Sequence, residues 1–229
     1  MTDFDCDRHT VRELNQALHS ACSQGDKFNV ANVKGQHALA CGIDSDIEVN
    51  IEGHAGYYCA GMHQKGKVII NGNAGVGVAE NMMSGTVHVK GNASQAAGAT
   101  AHGGLLIIEG DAAARCGISL KGAHIVVKGS VGHMSCFMAQ AGVLVVCGDA
   151  GEALGDSLYE TTIYVQGEVK SLGAGCVEKE LCEEHASELS ALLDAAGVDA
   201  SASSFKRYGT DQSLYNFTVD NAVLDGGTS

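Results

Sequence analysis

Aliphatic and polar residues alternate in seven short stretches, and each stretch ends at a glycine nineteen residues after the previous one. The markers are Gly53, Gly72, Gly91, Gly110, Gly129, Gly148 and Gly167. Four residues before them stand Val49, Val68, Val87, Leu106, Ile125, Leu144 and Ile163; two before stand Ile51, Ile70, Val89, Ile108, Val127, Val146 and Val165. The residues just before the markers are mostly polar: Glu52, Asn71, Lys90, Glu109, Lys128, Cys147 and Gln166. This is the strand period, with aliphatics inward and polar groups outward. Small residues follow each marker at two positions (Ala55, Ala74, Ala93, Ala112, Val131, Ala150, Val169) and at seven (Ala60, Ala79, Gly98, Gly117, Cys136, Gly155, Ala174).

Self-similarity at a fixed period indicates stacked coils, with equivalent residues directly above one another. The pattern therefore predicts an all-β fold: a right-handed parallel β-helix of about seven 19-residue coils, with short flanking N- and C-terminal helices. Left-handed hexapeptide helices have eighteen-residue coils and a six-residue subperiod, which this chain lacks. The general preference for right-handed crossovers points the same way. Parallel strands ~4.8 Å apart make such a rod roughly 30–35 Å long. The marker glycines are expected in corner conformations that a Cβ hinders. Gly35 marks a degenerate first coil.

The flanks have a different period. Val11, Leu14, Leu18 and Cys22 predict a helix within residues 8–23, ended by Gly25. Val177, Leu181, Ala186, Leu189, Leu192 and Leu193 form the apolar face of a second helix, ended by Gly197. A tail with Phe205, Tyr208, Tyr215 and Phe217 follows. The chain thus divides into an N-terminal helical segment at 1–26, the β-helix domain at 27–176, and a C-terminal helix and aromatic tail at 177–229. A β-helix has open ends, so the flanks are expected to cover them or to lie along a side.

Composition narrows the function. Aromatics are 5% and tryptophan is absent, so small residues must fill much of the core. The net charge of −13 disfavours nucleic acid and anionic membranes as partners. No apolar run is long enough to span a bilayer, and the polar amino terminus has no signal core, so a cytoplasmic location is expected. Nine cysteines, an odd number with no Cys-x-x-Cys pair, read as reduced thiols that mostly fill small core positions.

The sequence offers no catalytic constellation. In Gly72 to Glu80, Gly72 and Gly75 are repeat positions, and no helix pattern or Walker-type lysine follows. His54, His63, His88, His102, His124 and His133 fall at different offsets and form no close set with another His, Asp or Glu. They read as isolated surface residues, and no metal site is expected. Ser135 and Cys136 adjoin His133 but lack a third orienting group, and Cys136 falls on the small-residue ladder. A free-standing carbohydrate-active enzyme needs clustered acids, whereas the outward acids Glu52 and Glu109 lie three coils apart. The positions that break the consensus are more informative. Arg115 stands where other coils carry Tyr58, Gly77, Ala96, Met134, Ala153 and Leu172. The segments Asn81-Met82-Met83, Phe137-Met138-Ala139-Gln140 and Gly155-Asp156-Ser157-Leu158-Tyr159 put large or charged groups where others are small. Methionine and phenylalanine on one side of a rod point to a contact surface for another chain, or to filling beneath the terminal segments.

The runs GHAGYYCAGM, GNAGVGVAENMMSG, GNASQAAGATAHGG, RCGISLKG, GSVGHMSCFMAQAG and CGDAGEALGDSLYE resemble the GXGXG domain of glutamate synthases, most strongly over residues 27–176. That resemblance implies a right-handed β-helix that packs catalytic domains together, helps form an ammonia channel and supplies no recognised catalytic group. The stand-alone layout is similar to that of the β-helix subunit family of N-methylglutamate synthase (methylamine–glutamate N-methyltransferase). It implies an amidotransferase-like partner and an FMN/iron–sulfur glutamate synthase-like partner. It also implies no cofactor in this chain, and formation of N-methylglutamate and ammonia from glutamate and methylamine. One subunit of formylmethanofuran dehydrogenase and of the formyltransferase/hydrolase complex shares the β-helix and is the alternative. On either reading, His102, Arg115, Asp156 and Tyr159 are the candidate partner-interface or channel residues.

Overall fold

The computed structural model describes residues 2–20 and 25–212. Cys22, Tyr215 and Phe217 lie outside the described residues. The chain order is β1 (Thr2–Asp5), α1 (Val11–His19), β2 (Lys27–Ala31), β3 (Glu48–Glu52), β4 (Lys67–Asn71), β5 (Thr86–Val89), β6 (Leu105–Ile108), β7 (Lys121–Val127), β8 (Ala141–Val146), β9 (Thr162–Val165), β10 (Cys176–Lys179), α2 (Glu183–Ala196) and β11 (Lys206–Thr210). The strands make one sheet, in which β1 to β9 follow in sequence and β11 then separates β9 from β10.

Strands β1 to β9 are parallel, one per coil from β2 onward. Val49 pairs with Val68, Val68 with Val87, and so on through Leu106, Ile125 and Leu144 to Ile163. A second ladder runs parallel to it, from Ala55 through Ala74, Ala93, Ala112, Val131 and Ala150 to Val169. The chain is therefore a parallel β-solenoid of about seven turns, and both predicted ladders are present.

The marker glycines serve a different purpose from the one expected. Only Gly53 of the seven has a positive φ. The others are needed because successive coils nearly touch at this corner. A Cβ on Gly72 would lie 2.5 Å from the carbonyl oxygen of Gly53, and one on Gly129 would lie 2.8 Å from the carbonyl carbon of Gly110. The residue after the marker closes the same corner. Asn73, Asn92, Asp111, Ser130 and Asp149 each accept, through a side-chain oxygen, the backbone N–H of the matching residue one coil later, at 2.8–2.9 Å.

Left-handed backbone occurs instead on the opposite side of the coil, which we call the turn side. It recurs five, seven and nine residues after the marker: Tyr58, Ala60 and Met62; then Gly77, Ala79 and Asn81; and so on to Ala153, Gly155 and Ser157. Most of these are not glycine, and each non-glycine residue there costs ~1–2 kcal/mol. Hydrogen bonding between coils offsets that cost. The Ala79 N–H donates up the stack to Cys59 (2.9 Å), and the Asn81 N–H donates down to Ala99 (2.9 Å). The alternation leaves few backbone groups unsatisfied. The middle residue of each trio points inward, and Ala60, Ala79 and Cys136 are fully buried. That explains the small side chains seven residues after the marker.

The flanks cover the first coil, one side, and the strand edge of the last coil, where β11 pairs with β9. α1 starts at a Thr10/Glu13 capping box and ends at His19, inside the predicted 8–23 span. Leu14 and Leu18 join the core, and the Asn15 side chain donates to the carbonyl of Ala38 (2.8 Å). α2 begins later than predicted because Cys176–Lys179 is already a strand, so Val177 belongs to β10. Leu189, Leu193 and Ala196 pack on Ile107, Val126, Val145 and Tyr164, the outward positions of the later strands. Gly197 ends α2 in the left-handed conformation (φ 65°).

Candidate functional site

The turn side carries the unpartnered apolar surface. Among the described residues seven large hydrophobic side chains are exposed: Tyr57, Tyr58, Met62, Met83, Met138, Tyr159 and Leu172, at 38–55%. All seven lie four to eleven residues after a marker glycine. The backbone explains this placement: the middle left-handed residue turns inward, and its neighbours turn out. Met62 and Met138 occupy the same position four coils apart, as do Tyr58 and Leu172 six coils apart. Met138 and Tyr159, with Ser119 and Gln140, line a cavity of about 310 Å³.

The four candidate residues all lie on this side. Arg115 is exposed with φ 60°, at the position of Tyr58. His102 is exposed at the position that Tyr159 occupies three coils later. Tyr159 lines the cavity, and the other three do not. Asp156 is half-buried. It accepts the Ser157 hydroxyl (2.7 Å) and the Ala174 N–H (3.3 Å), tying the last two coils together.

Two readings of the histidines are corrected. His88 is not isolated: its Nε2 lies 2.6 Å from Glu109 Oε1. Lys128 Nζ reaches the other oxygen of Glu109 at 2.8 Å, and Lys90 lies 3.5 Å from the first. His88 on β5 and Glu109, just after β6, both face outward, a diagonal pair that the coil register brings together. Burial pushes the Glu109 carboxyl up, but Lys128 and His88 outweigh it and hold it at about 2. Burial, joined by Lys90 and Lys67, outweighs Glu109 and pushes the His88 pKa down. His63 is not a surface residue. It is fully buried in the core column of Ile43 and Met82, and burial pushes its pKa down. The neutral ring donates from Nε2 to the Gly66 carbonyl (3.2 Å), and Nδ1 has no partner.

Ser135 and Cys136 are both buried. The Ser135 hydroxyl donates to the Gly132 carbonyl (2.9 Å), and burial holds the Cys136 thiol well above its ordinary value. Among the described residues no three His, Cys, Asp or Glu side chains form a metal-sized group. No described helix is long and apolar enough to cross a membrane.

Sequence reasoning missed the two tyrosines at 57 and 58 as part of this surface. A signal was present: their coil places Tyr57, Tyr58 and Met62 where the next coil has Val76, Gly77 and Asn81. No family model matches the chain. A curated protein from Rhizobium meliloti (strain 1021), Protein GlxC, is 57% identical over 216 residues, which cover 93% of this chain and 94% of that protein. At that identity and coverage the family is shown, and the chain belongs to the GlxC family.

Proposed function

We propose that the chain is a non-catalytic assembly subunit of a glutamate synthase-like system, and that its turn side is the surface that binds partner subunits. The observation that carries the proposal is that, among the described residues, all seven exposed large hydrophobics are confined to that side. Exposed apolar patches rich in tyrosine and methionine mark protein interfaces. The family relationship and the resemblance to the GXGXG domain of glutamate synthases support the same reading.

The exposed hydrophobics form two groups. Tyr57, Tyr58, Met62 and Met83 belong to the first two full coils, and Met138, Tyr159 and Leu172 to the last three. Between them lies a polar strip that includes Thr100, His102, Arg115 and Ser119. Two groups on one face suit a bridge between an amidotransferase-like subunit and an FMN/iron–sulfur synthase-like subunit. FMN and the clusters would reside in that partner. In its finer form the proposal is an N-methylglutamate synthase, making N-methylglutamate from glutamate and methylamine. His102 and Arg115 would line the route that ammonia or methylamine takes between the two footprints. Asp156 and Tyr159 would set the edge of the second footprint.

Affinity capture of the tagged chain from its native extract tests this. The expected result is a complex containing a yellow FMN protein and an amidotransferase-like chain, with the isolated chain colourless and inactive. A monodisperse monomer with no partner would overturn the proposal. Recovery of a metal-dependent hydrolase-like chain with a formyltransferase would replace it with a formyl-transfer complex.

A further inference from the structure

The two helices begin on matching four-residue patterns with different chemistry. In α1, Thr10 Oγ1 accepts the Glu13 N–H (3.3 Å), and Glu13 Oε2 accepts the Thr10 N–H (2.8 Å). This is a reciprocal capping box. In α2 the corresponding residues are Cys182 and His185. Cys182 has N-cap geometry (φ −83°, ψ 173°), but no side chain caps the helix. Its Sγ lies instead 2.7 Å from His185 Nδ1.

The surroundings set this thiol apart. Cys182 is exposed, whereas the seven other described cysteines are buried or half-buried. Burial pushes those seven thiols up. Two strands bring further polar groups to this end of α2. The Tyr164 hydroxyl of β9 donates to Glu188 (2.9 Å), and Arg207 Nη1 of β11 donates to the Glu180 carbonyl (2.9 Å). The Arg207 Nε is buried without a partner. A nucleophile and a base thus stand in contact at the N-terminus of α2.

We propose that Cys182, with His185 as its proton acceptor, is an oxidation site for hydroperoxides, and that the oxidised sulfur completes the missing N-cap of α2. The thiol proton passes to His185 Nδ1, and the sulfur attacks one peroxide oxygen. The S–O bond forms as the O–O bond breaks. Sulfur loses two electrons, and the departing oxygen takes up two electrons and the proton from His185. The products are a sulfenic acid and one alcohol, or water when the oxidant is hydrogen peroxide. A thiol is a weak acceptor, whereas a sulfenate oxygen is a strong one. It accepts from the free N–H groups of the first turn and is favoured by the helix N-terminus. Glu183 and Glu184 oppose negative charge there, so proton transfer to His185 is the step on which the reaction depends. The inference is independent of the proposed function.

The test treats the full chain with hydrogen peroxide, traps sulfenic acid with a 1,3-dione reagent and maps the labelled peptides by mass. Cys182 should label at least about tenfold faster than Cys6, Cys41 or Cys147. His185→Ala and His185→Gln should each lower the Cys182 rate about tenfold with unchanged circular dichroism. Amide exchange at Glu184 and His185 should slow once Cys182 is oxidised. Equal labelling across these cysteines would overturn the proposal, and so would a Cys182 rate unchanged by both His185 variants.

Discussion

The strand side and the turn side of the solenoid carry apolar residues on their outer surfaces, but they treat them differently. On the strand side, Ile107, Val126, Val145 and Tyr164 point outward and are covered by α2. On the turn side, Met62, Met83, Met138 and Tyr159 point outward, and no described element covers them. One side is completed by the chain's own sequence. The other is left for an occupant, and the assembly reading rests on that difference.

Substitutions should separate the two sides, beginning with those of largest effect. On the strand side, Leu193→Ala removes a nearly fully buried contact between α2 and the sheet. It should cost about 3 kcal/mol, read from the midpoint of urea unfolding. Inside the turn side, Ala79→Val puts a β-branched residue at φ 56° in a fully buried position. The loss should be about 2–3 kcal/mol in the same experiment. On the turn-side surface, Met62→Ser or Met138→Ser should change stability by less than about 0.5 kcal/mol. Each should nonetheless weaken capture of partner subunits by about tenfold or more. Strand-side losses in stability with turn-side losses in association sharpen the comparison. A turn-side surface variant that unfolds the chain breaks it.

The smallest effects are in pH. The pKa of His63 is lower in the fold than in the unfolded chain, so the unfolded chain binds the extra proton as pH falls below about 6.5. Stability should decline through that window, and His63→Met should flatten the decline in a series of thermal melts. Glu109, held at about 2 in the fold, stabilises above its ordinary carboxylate range. Its contribution on the strand side should be lost as pH falls from about 4.5 toward 2. Glu109→Gln should remove that part of the acid sensitivity.

Much of the fold is legible because the coil register is a sequence property. Fourteen aliphatics at two fixed offsets become two inward columns, and nothing outside the repeat is needed to see it. The docking of α2 is also written there, since the outward position changes from Asn50 and His88 in early coils to Val126 and Val145 in later ones. Its meaning emerges only with the helix in place. The turn side is harder to read. Left-handed backbone is normally signalled by glycine, and here Ala60, Asn81, Arg115 and Met138 adopt it because hydrogen bonds between coils enforce it. The His88–Glu109 pair is hidden for a related reason. Residues twenty-one apart become neighbours only when coils are stacked and the outward positions compared diagonally.

Hydroxyl-radical footprinting of the chain, alone and within the assembly captured from native extract, tests the central claim most directly, because methionine and tyrosine report their own exposure. The predicted result is strong labelling of Met62, Met83, Met138 and Tyr159 in the isolated chain and loss of that labelling in the assembly. Continued labelling of these four residues in an intact assembly would contradict the claim that the turn side is the docking surface.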